Sequence, residues 1–156
     1  MDEPDEIMSR INDAVALHRA GDNASARERF EQIWAEIRPD GDPLHRCTLA
    51  HFMADAQESP RAKLLWDQRA LDAADSLTDE RAREHHASLS VRGFYPSLHL
   101  NLAKDHQLLG DETSARTHIE RAKSVLHVLD DDGYGRMIRG GVERLDAELS
   151  TTPHSK

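Results

Sequence analysis

The chain has 156 residues, of which 38% are hydrophobic and only 4% aromatic, a composition that favours Ala- and Leu-rich helices over an aromatic-rich sheet. Its formal net charge of -9 excludes the electrostatic footprint of a protein that binds duplex DNA or an anionic membrane. The acidic excess is concentrated in residues 1–78, where 16 Asp and Glu face 9 Lys and Arg for a net charge of -7, so a basic partner would favour that half.

The single cysteine, Cys47, excludes an internal disulfide and a thiolate zinc finger. The first ten residues, MDEPDEIMSR, are acidic and contain no apolar segment of the kind that a secretory signal carries. No apolar run approaches the roughly 20 residues that a membrane-spanning helix needs. Together these features predict a cytoplasmic protein.

Apolar residues recur at helical spacing along almost the whole chain, and no stretch shows the alternation of a strand. The sequence therefore predicts an all-α fold of about eight helices, built as one domain over residues 1–150. Its predicted parts are helix pairs at about 5–38, 43–76 and 96–129, an inserted helix at 79–91, a capping helix at 134–149 and a flexible tail at 151–156.

Proline residues set several of the predicted boundaries. Pro43 and Pro60 each follow a residue that can cap a helix, and proline suits the first helical turn. The segment GFYP at 93–96 instead predicts a break between helices, because the residue before a proline is disfavoured in the helical conformation.

Two segments of the chain match each other: GDNASARERFE at 21–31 and GDETSARTHIE at 110–120 share six of eleven positions. The glycine can take the left-handed conformation that turns the chain, and the aspartate can cap the next helix. The shared alanine lets two helices approach closely, and Phe30 or Ile119, four residues later, fills the space between helix pairs. The two segments therefore predict the same helix–turn–helix joint.

This joint resembles the tetratricopeptide repeat, whose pattern runs W-x2-LG-x2-Y, then A-x3-F, then P. Ala62 and Trp66 supply a looser A-x3-F, and the stretch GFYPSLHLNLAKDHQLLGDETSA is similar to short actinobacterial members of the family. The resemblance implies an α–α superhelix that binds peptides or proteins in a concave groove lined by the first helix of each pair. By register, the lining residues are Ile11, Val15, His18, Cys47, His51, Asp55, Leu100, Asn101 and Lys104.

Several polar residues of the predicted groove could carry function. His51 and Asp55 are four residues apart and share a helix face, an arrangement that can bind a metal or act as an acid–base pair. Asn101 stands in the apolar stretch LHLNLA, and Lys104 follows one turn later. A groove-facing amide needs partners, which a bound peptide or the adjacent helix would supply. His86 could reach the groove from the inserted helix.

These residues admit three interpretations: a polar groove wall with hydrogen-bonded side chains, a contact for a peptide or small ligand, and a catalytic or metal site. Cys47 lies four residues from His51, but the sequence shows no convincing triad around it. His99 and His106 are seven residues apart and are predicted to pack between helices. Trp34 and Trp66 fall on apolar stripes and are predicted to be packing residues.

We expect a non-catalytic module that binds a protein or peptide segment, with no cofactor, no metal, no nucleic acid and no membrane as partner. Two alternatives stay open. One is a metal-binding or small-ligand-binding protein or enzyme that uses the His, Asp and Asn residues of the groove. The other is a structural protein that self-associates into a homo-oligomer through its apolar faces.

Overall fold

The computed structural model describes residues 6–37, 41–76 and 91–151, without the side chains of 91–94 and 151. Within these ranges the chain forms seven α-helices and one short 3-10 helix at Leu126–Val128, and no strand. The all-α class and the packing of neighbouring helices in pairs confirm the predicted helical array. The α-helices are α1 (Glu6–Arg19), α2 (Asn23–Ile37), α3 (Pro43–Asp55), α4 (Pro60–Ala74), α5 (Val91–Leu108), α6 (Glu112–Val125) and α7 (Gly133–Thr151).

The chain divides into two compact units, Met1–Leu77 and Thr78–Lys156. In the first unit, α1 packs on α2 and α3 packs on α4, while α3 also contacts α1 and α2. In the second unit, α5 packs on α6, and α7 contacts both of them. Each unit is therefore a small helical body with a core of its own.

The two repeated joints have the same backbone geometry. Gly21 has a φ of 90°, and the amide of Asp22 donates to the Leu17 carbonyl while the Asp22 carboxylate accepts from the amide of Ser25. These bonds close α1 and open α2. Gly110, with a φ of 82°, ends α5 in the same way. A side chain at either φ would be strained, which explains why both joints begin with glycine.

The starts of α3 and α4 confirm the predicted proline boundaries. Asp42 caps α3 by accepting a hydrogen bond of 2.9 Å from the amide of Leu44, and Pro43 occupies the first turn. Ser59 caps α4 through the amide of Ala62 in the same manner.

Each unit buries the apolar residues that the joint pattern predicts. Ala26 and Phe30 are both 0% exposed in the first unit, and Ala115 and Ile119 are 0% and 1% exposed in the second. On α7, Gly141 faces the side chain of buried Leu100, and a Cβ there would lie 2.9 Å from a Leu100 methyl carbon. The small residue thus permits the close crossing of α5 and α7.

The predicted break at 93–96 is wrong. Helix α5 begins at Val91 and continues through Pro96, which lies inside it. Pro96 is the sixth residue of α5, past the four whose amides have no partner in a helix, so the helix loses one hydrogen bond there and the buried residues that follow compensate. The inserted helix predicted at 79–91 lies outside the described residues except for Val91. Of the predicted tail, only Thr151 is described, as the last residue of α7.

Candidate functional site

The residues predicted to line a groove fall in both units. Cys47, His51 and Asp55 lie on α3 in the first unit, whereas Asn101 and Lys104 lie on α5 in the second. His86 lies outside the described residues. The predicted groove residues therefore form two separate sets of polar side chains, one in each unit.

Within the part of the chain that the structure describes, His51 has a buried polar atom without a hydrogen-bond partner. Its side chain is half-buried against the ring of Phe52, whose centroid lies 5.3 Å away, and its Nδ1 is enclosed with no hydrogen-bond partner among the described residues. Burial lowers the pKa of His51, and the opposing charge of Asp55 only partly offsets that effect. The ring is thus held neutral, so that one nitrogen donates and the other accepts.

Asp55 is exposed on the turn that follows His51, at the end of α3. Its carboxylate adds an acceptor beside a neutral imidazole. A chain segment that docks here would contact the exposed carboxylate directly. This arrangement suits a segment that offers hydrogen-bond donors, such as main-chain amides or basic side chains.

Cys47 belongs to the core of the first unit. Its side chain is 1% exposed, and burial raises the pKa of the thiol to about 12. A thiol with that pKa is protonated at neutral pH and is neither a good nucleophile nor a metal ligand. The structure therefore shows Cys47 as a packing residue of α3.

Asn101 is half-buried, and Lys104 is exposed one turn later on α5. Lys104 lines a surface cavity of about 290 Å³ between α5 and α7, together with Arg144 and Glu148. The Glu148 carboxylate accepts a hydrogen bond of 3.2 Å from the side-chain amide of Gln107, and both residues line the same cavity. The second unit thus offers a mixed-charge surface next to Asn101.

A stack of aromatic and imidazole rings lies between α5 and α6. The rings of His99 and His118 are 5.3 Å apart at centroid, with their Nδ1 atoms 3.1 Å apart, and those of His118 and His106 are 5.4 Å apart and nearly parallel. Tyr95 stacks on the other side of His99 at 6.1 Å. The packing of His99 and His106 between helices is as predicted.

The sequence did not reveal the role of His118 in this stack. Burial lowers its pKa to about 4, and the neighbouring His99, His106 and Arg121 add to the shift. In the repeat, His118 matches Arg29, which is exposed in the first unit. Both residues lie four positions before a buried residue, Ala122 or Ile33, so helical spacing does not distinguish them.

A family model described as tetratricopeptide repeat matches residues 7–32 and 96–121. These ranges cover α1 with most of α2, and most of α5 with most of α6, so each match includes one of the two repeated joints. The comparisons with curated proteins and with solved structures found no match. Over the described residues, none of the helices combines the length and the apolar character that a membrane crossing requires.

Proposed function

Since the chain belongs to the tetratricopeptide repeat family, we propose that it is a non-catalytic module that binds a segment of another protein. Repeats of this family generally mediate protein–protein interactions. Each unit is proposed to offer its own binding surface on the first helices of its pairs: α1 and α3 in the first unit and α5 in the second. Helices α3 and α5 carry the polar residues predicted to contact the segment.

The observation that carries this proposal is the enclosed Nδ1 of His51. Among the described residues this atom has no partner, and an unpaired buried polar atom costs about 1–3 kcal/mol. Because the atom has almost no accessible surface, a segment recovers that energy only if the side chains that cover His51 move aside as it binds. The exposed carboxylate of Asp55 lies one turn away and can accept from the same segment. The carboxylate is an acceptor, which supports a segment with basic side chains.

Asn101 and Lys104 support a second contact in the other unit. The Asn101 side chain is half-buried in an otherwise apolar stretch, and its amide can both donate to and accept from a peptide backbone. Lys104 is exposed and would favour a carboxylate of the bound segment.

The alternative of a metal-binding protein has less support from the described residues. In those ranges no three His, Cys, Asp or Glu side chains are placed so that they could hold a metal ion.

The test is selection of short random peptides displayed on phage against the purified protein, followed by affinity measurements on the enriched peptides. We expect His51→Ala and Asn101→Ala each to weaken binding about tenfold, or ~1.4 kcal/mol. The matched control is His127→Ala, because His127 is exposed on the 3-10 helix. Circular dichroism verifies that each variant keeps its helical content. Failure to enrich any peptide, or unchanged affinity in both groove variants, would contradict the proposal.

A further inference from the structure

Two tryptophans and two arginines form one cluster in the first unit. The rings of Trp34 on α2 and Trp66 on α4 meet edge to face, with their centroids 5.0 Å apart. The Arg46 guanidinium lies 4.4 Å from the centre of the Trp34 ring. That of Arg69 lies 4.5 Å from the Trp66 ring and 5.6 Å from the Trp34 ring. We name these four side chains the Arg–Trp cluster.

The cluster brings two positive charges together in a chain whose net charge is -9. Stacking on tryptophan faces offsets part of the repulsion between the guanidinium groups. Among the described residues, Arg69 forms cation–π contacts but no ion pair with a carboxylate. A guanidinium stacked by its face still directs its N–H donors outward from its edge.

Both arginines line a surface cavity of about 200 Å³ between the start of α3 and the end of α4. Gly41 lies on its rim, where a Cβ would come within 2.1 Å of the Ile37 carbonyl oxygen, so a glycine is required there. Asp72 also lines the cavity, and its carboxylate accepts a hydrogen bond of 3.1 Å from the side-chain amide of Gln68. The cavity therefore has two cationic groups and one anionic group in its wall.

We propose that Arg69, with the positive charge of Arg46 beside it, forms a binding site for an oxyanion, the carboxylate or phosphate group of a small ligand. The planar guanidinium group matches both kinds of oxyanion, because two parallel N–H donors can contact two oxygens at once. The cavity of about 200 Å³ accommodates a carboxylate or phosphate group together with a few further atoms of the ligand. Asp72 opposes the anion and thereby limits its affinity.

This site is separate from the proposed peptide groove. It contains neither His51 nor Asp55. Its tryptophans and Arg69 lie on α2 and α4, the second helices of their pairs, and Arg46 comes from the first half of α3, before His51. Failure of either proposal would leave the other intact.

The experiment uses the intrinsic fluorescence of the protein, since Trp34 and Trp66 are its only tryptophans and both belong to the cluster. The full chain is titrated with inorganic phosphate and, separately, with succinate, while sodium chloride keeps the ionic strength constant. We expect a saturable change in emission with at least one of these anions. The anion that binds identifies whether the site takes a phosphate or a carboxylate group.

Variants test which side chains hold the anion. Arg69→Gln should weaken binding at least about tenfold, because it removes a charge-assisted contact. Asp72→Asn should strengthen binding severalfold, since it removes the opposing charge. The matched control is Arg61→Gln, an exposed arginine on the same helix, which should leave the affinity unchanged.

Absence of a saturable change with both anions would overturn the proposal, and so would equal affinities in Arg69→Gln and Arg61→Gln. If circular dichroism shows that Arg69→Gln does not fold, Arg69→Lys replaces it and should still bind more weakly, because an ammonium lacks the planar fork. In either case, NMR of the arginine side-chain N–H groups in the unmodified protein decides the question. The Arg69 signal should shift with anion concentration, and a constant signal would refute the site.

Discussion

The guanidinium of Arg27 donates a hydrogen bond of 2.8 Å to the backbone carbonyl of Ala56, at the end of α3. Arg116, the matching residue of the second joint, donates at 2.7 Å to the carbonyl of Leu149, near the end of α7. The last carbonyls of a helix have no partner within it. The arginine shared by the two joints therefore has the same role in both units. It donates a hydrogen bond to a backbone carbonyl at the end of the helix that follows.

Loss of this bond should destabilise the first unit. Arg27→Ala is expected to lower the free energy of unfolding by about 1–2 kcal/mol, because it removes a hydrogen bond from a charged donor and leaves a part-buried carbonyl unpaired. Urea denaturation measures the change. Arg29→Ala is the control, since Arg29 is exposed two residues away on the same helix. Equal stability of the two variants would show that the bond contributes nothing.

The histidine stack should make stability depend on pH. The pKa of His118 is about 4 in the folded protein against an ordinary value of 6.5, so the unfolded chain takes up the proton first. The contribution of this group to stability is fully present above pH 6.5 and is lost as the pH drops from 6.5 towards 4, by on the order of 3 kcal/mol. Denaturation at a series of pH values measures the slope.

The variant His118→Gln tests the source of that slope. It cannot titrate, so its stability should fall less steeply between pH 6.5 and 4 than that of the unmodified protein. His127→Gln, which alters an exposed histidine, should keep the original slope. An undiminished slope in His118→Gln would assign the pH dependence to other groups.

Cys47 should be unreactive in the folded protein. Its thiol is 1% exposed and has a pKa of about 12, so the thiolate that reacts with disulfide reagents is scarce at neutral pH. We expect labelling by a disulfide reagent at pH 7 to follow the rate of unfolding and to become fast in urea. Rapid stoichiometric labelling without denaturant would contradict the burial of this side chain.

The adjacent glycines of α7 should respond differently to alanine. Gly140→Ala should stabilise the second unit by about 0.5–1 kcal/mol, since alanine favours the helix and the nearest atom belongs to the flexible side chain of Arg144. Gly141→Ala places its Cβ 2.9 Å from Leu100 in the core, and that crowding costs about 1–3 kcal/mol. Thermal unfolding should rank Gly140→Ala above Gly141→Ala, and the reverse order would contradict the close helix crossing.

The parts of the fold that depend on local residues could be predicted from the sequence. Gly21 and Asp22 determine the turn and the cap within a few residues, and Ala26 with Phe30 lies on a stripe that any helix of this register buries. The predicted break at Pro96 also relied on a local preference, and it was wrong. The local preference against helix before a proline is small enough for the remaining turns of α5 to override it.

The candidate sites depend on contacts between helices, and the sequence does not specify which residues of different helices meet. Trp34 and Trp66 were predicted as packing residues, and Trp66 is buried, but the arginines that stack on them come from α3 and α4. His118 joined the ring stack only because α5 covers the position that stays exposed at Arg29 in the first unit. Neither pairing has a fixed spacing along the chain.

The repeated joint has a consequence for how such a chain can originate. Its turn, its cap and its capping arginine all lie within eleven consecutive residues, and the partners outside them are backbone carbonyls, at the end of the preceding helix and at the end of the following one. Any following helix offers such a carbonyl, whatever its side chains. A segment of this kind can be duplicated as a whole, after which the helices on either side are able to diverge in sequence while the connection between them keeps its geometry.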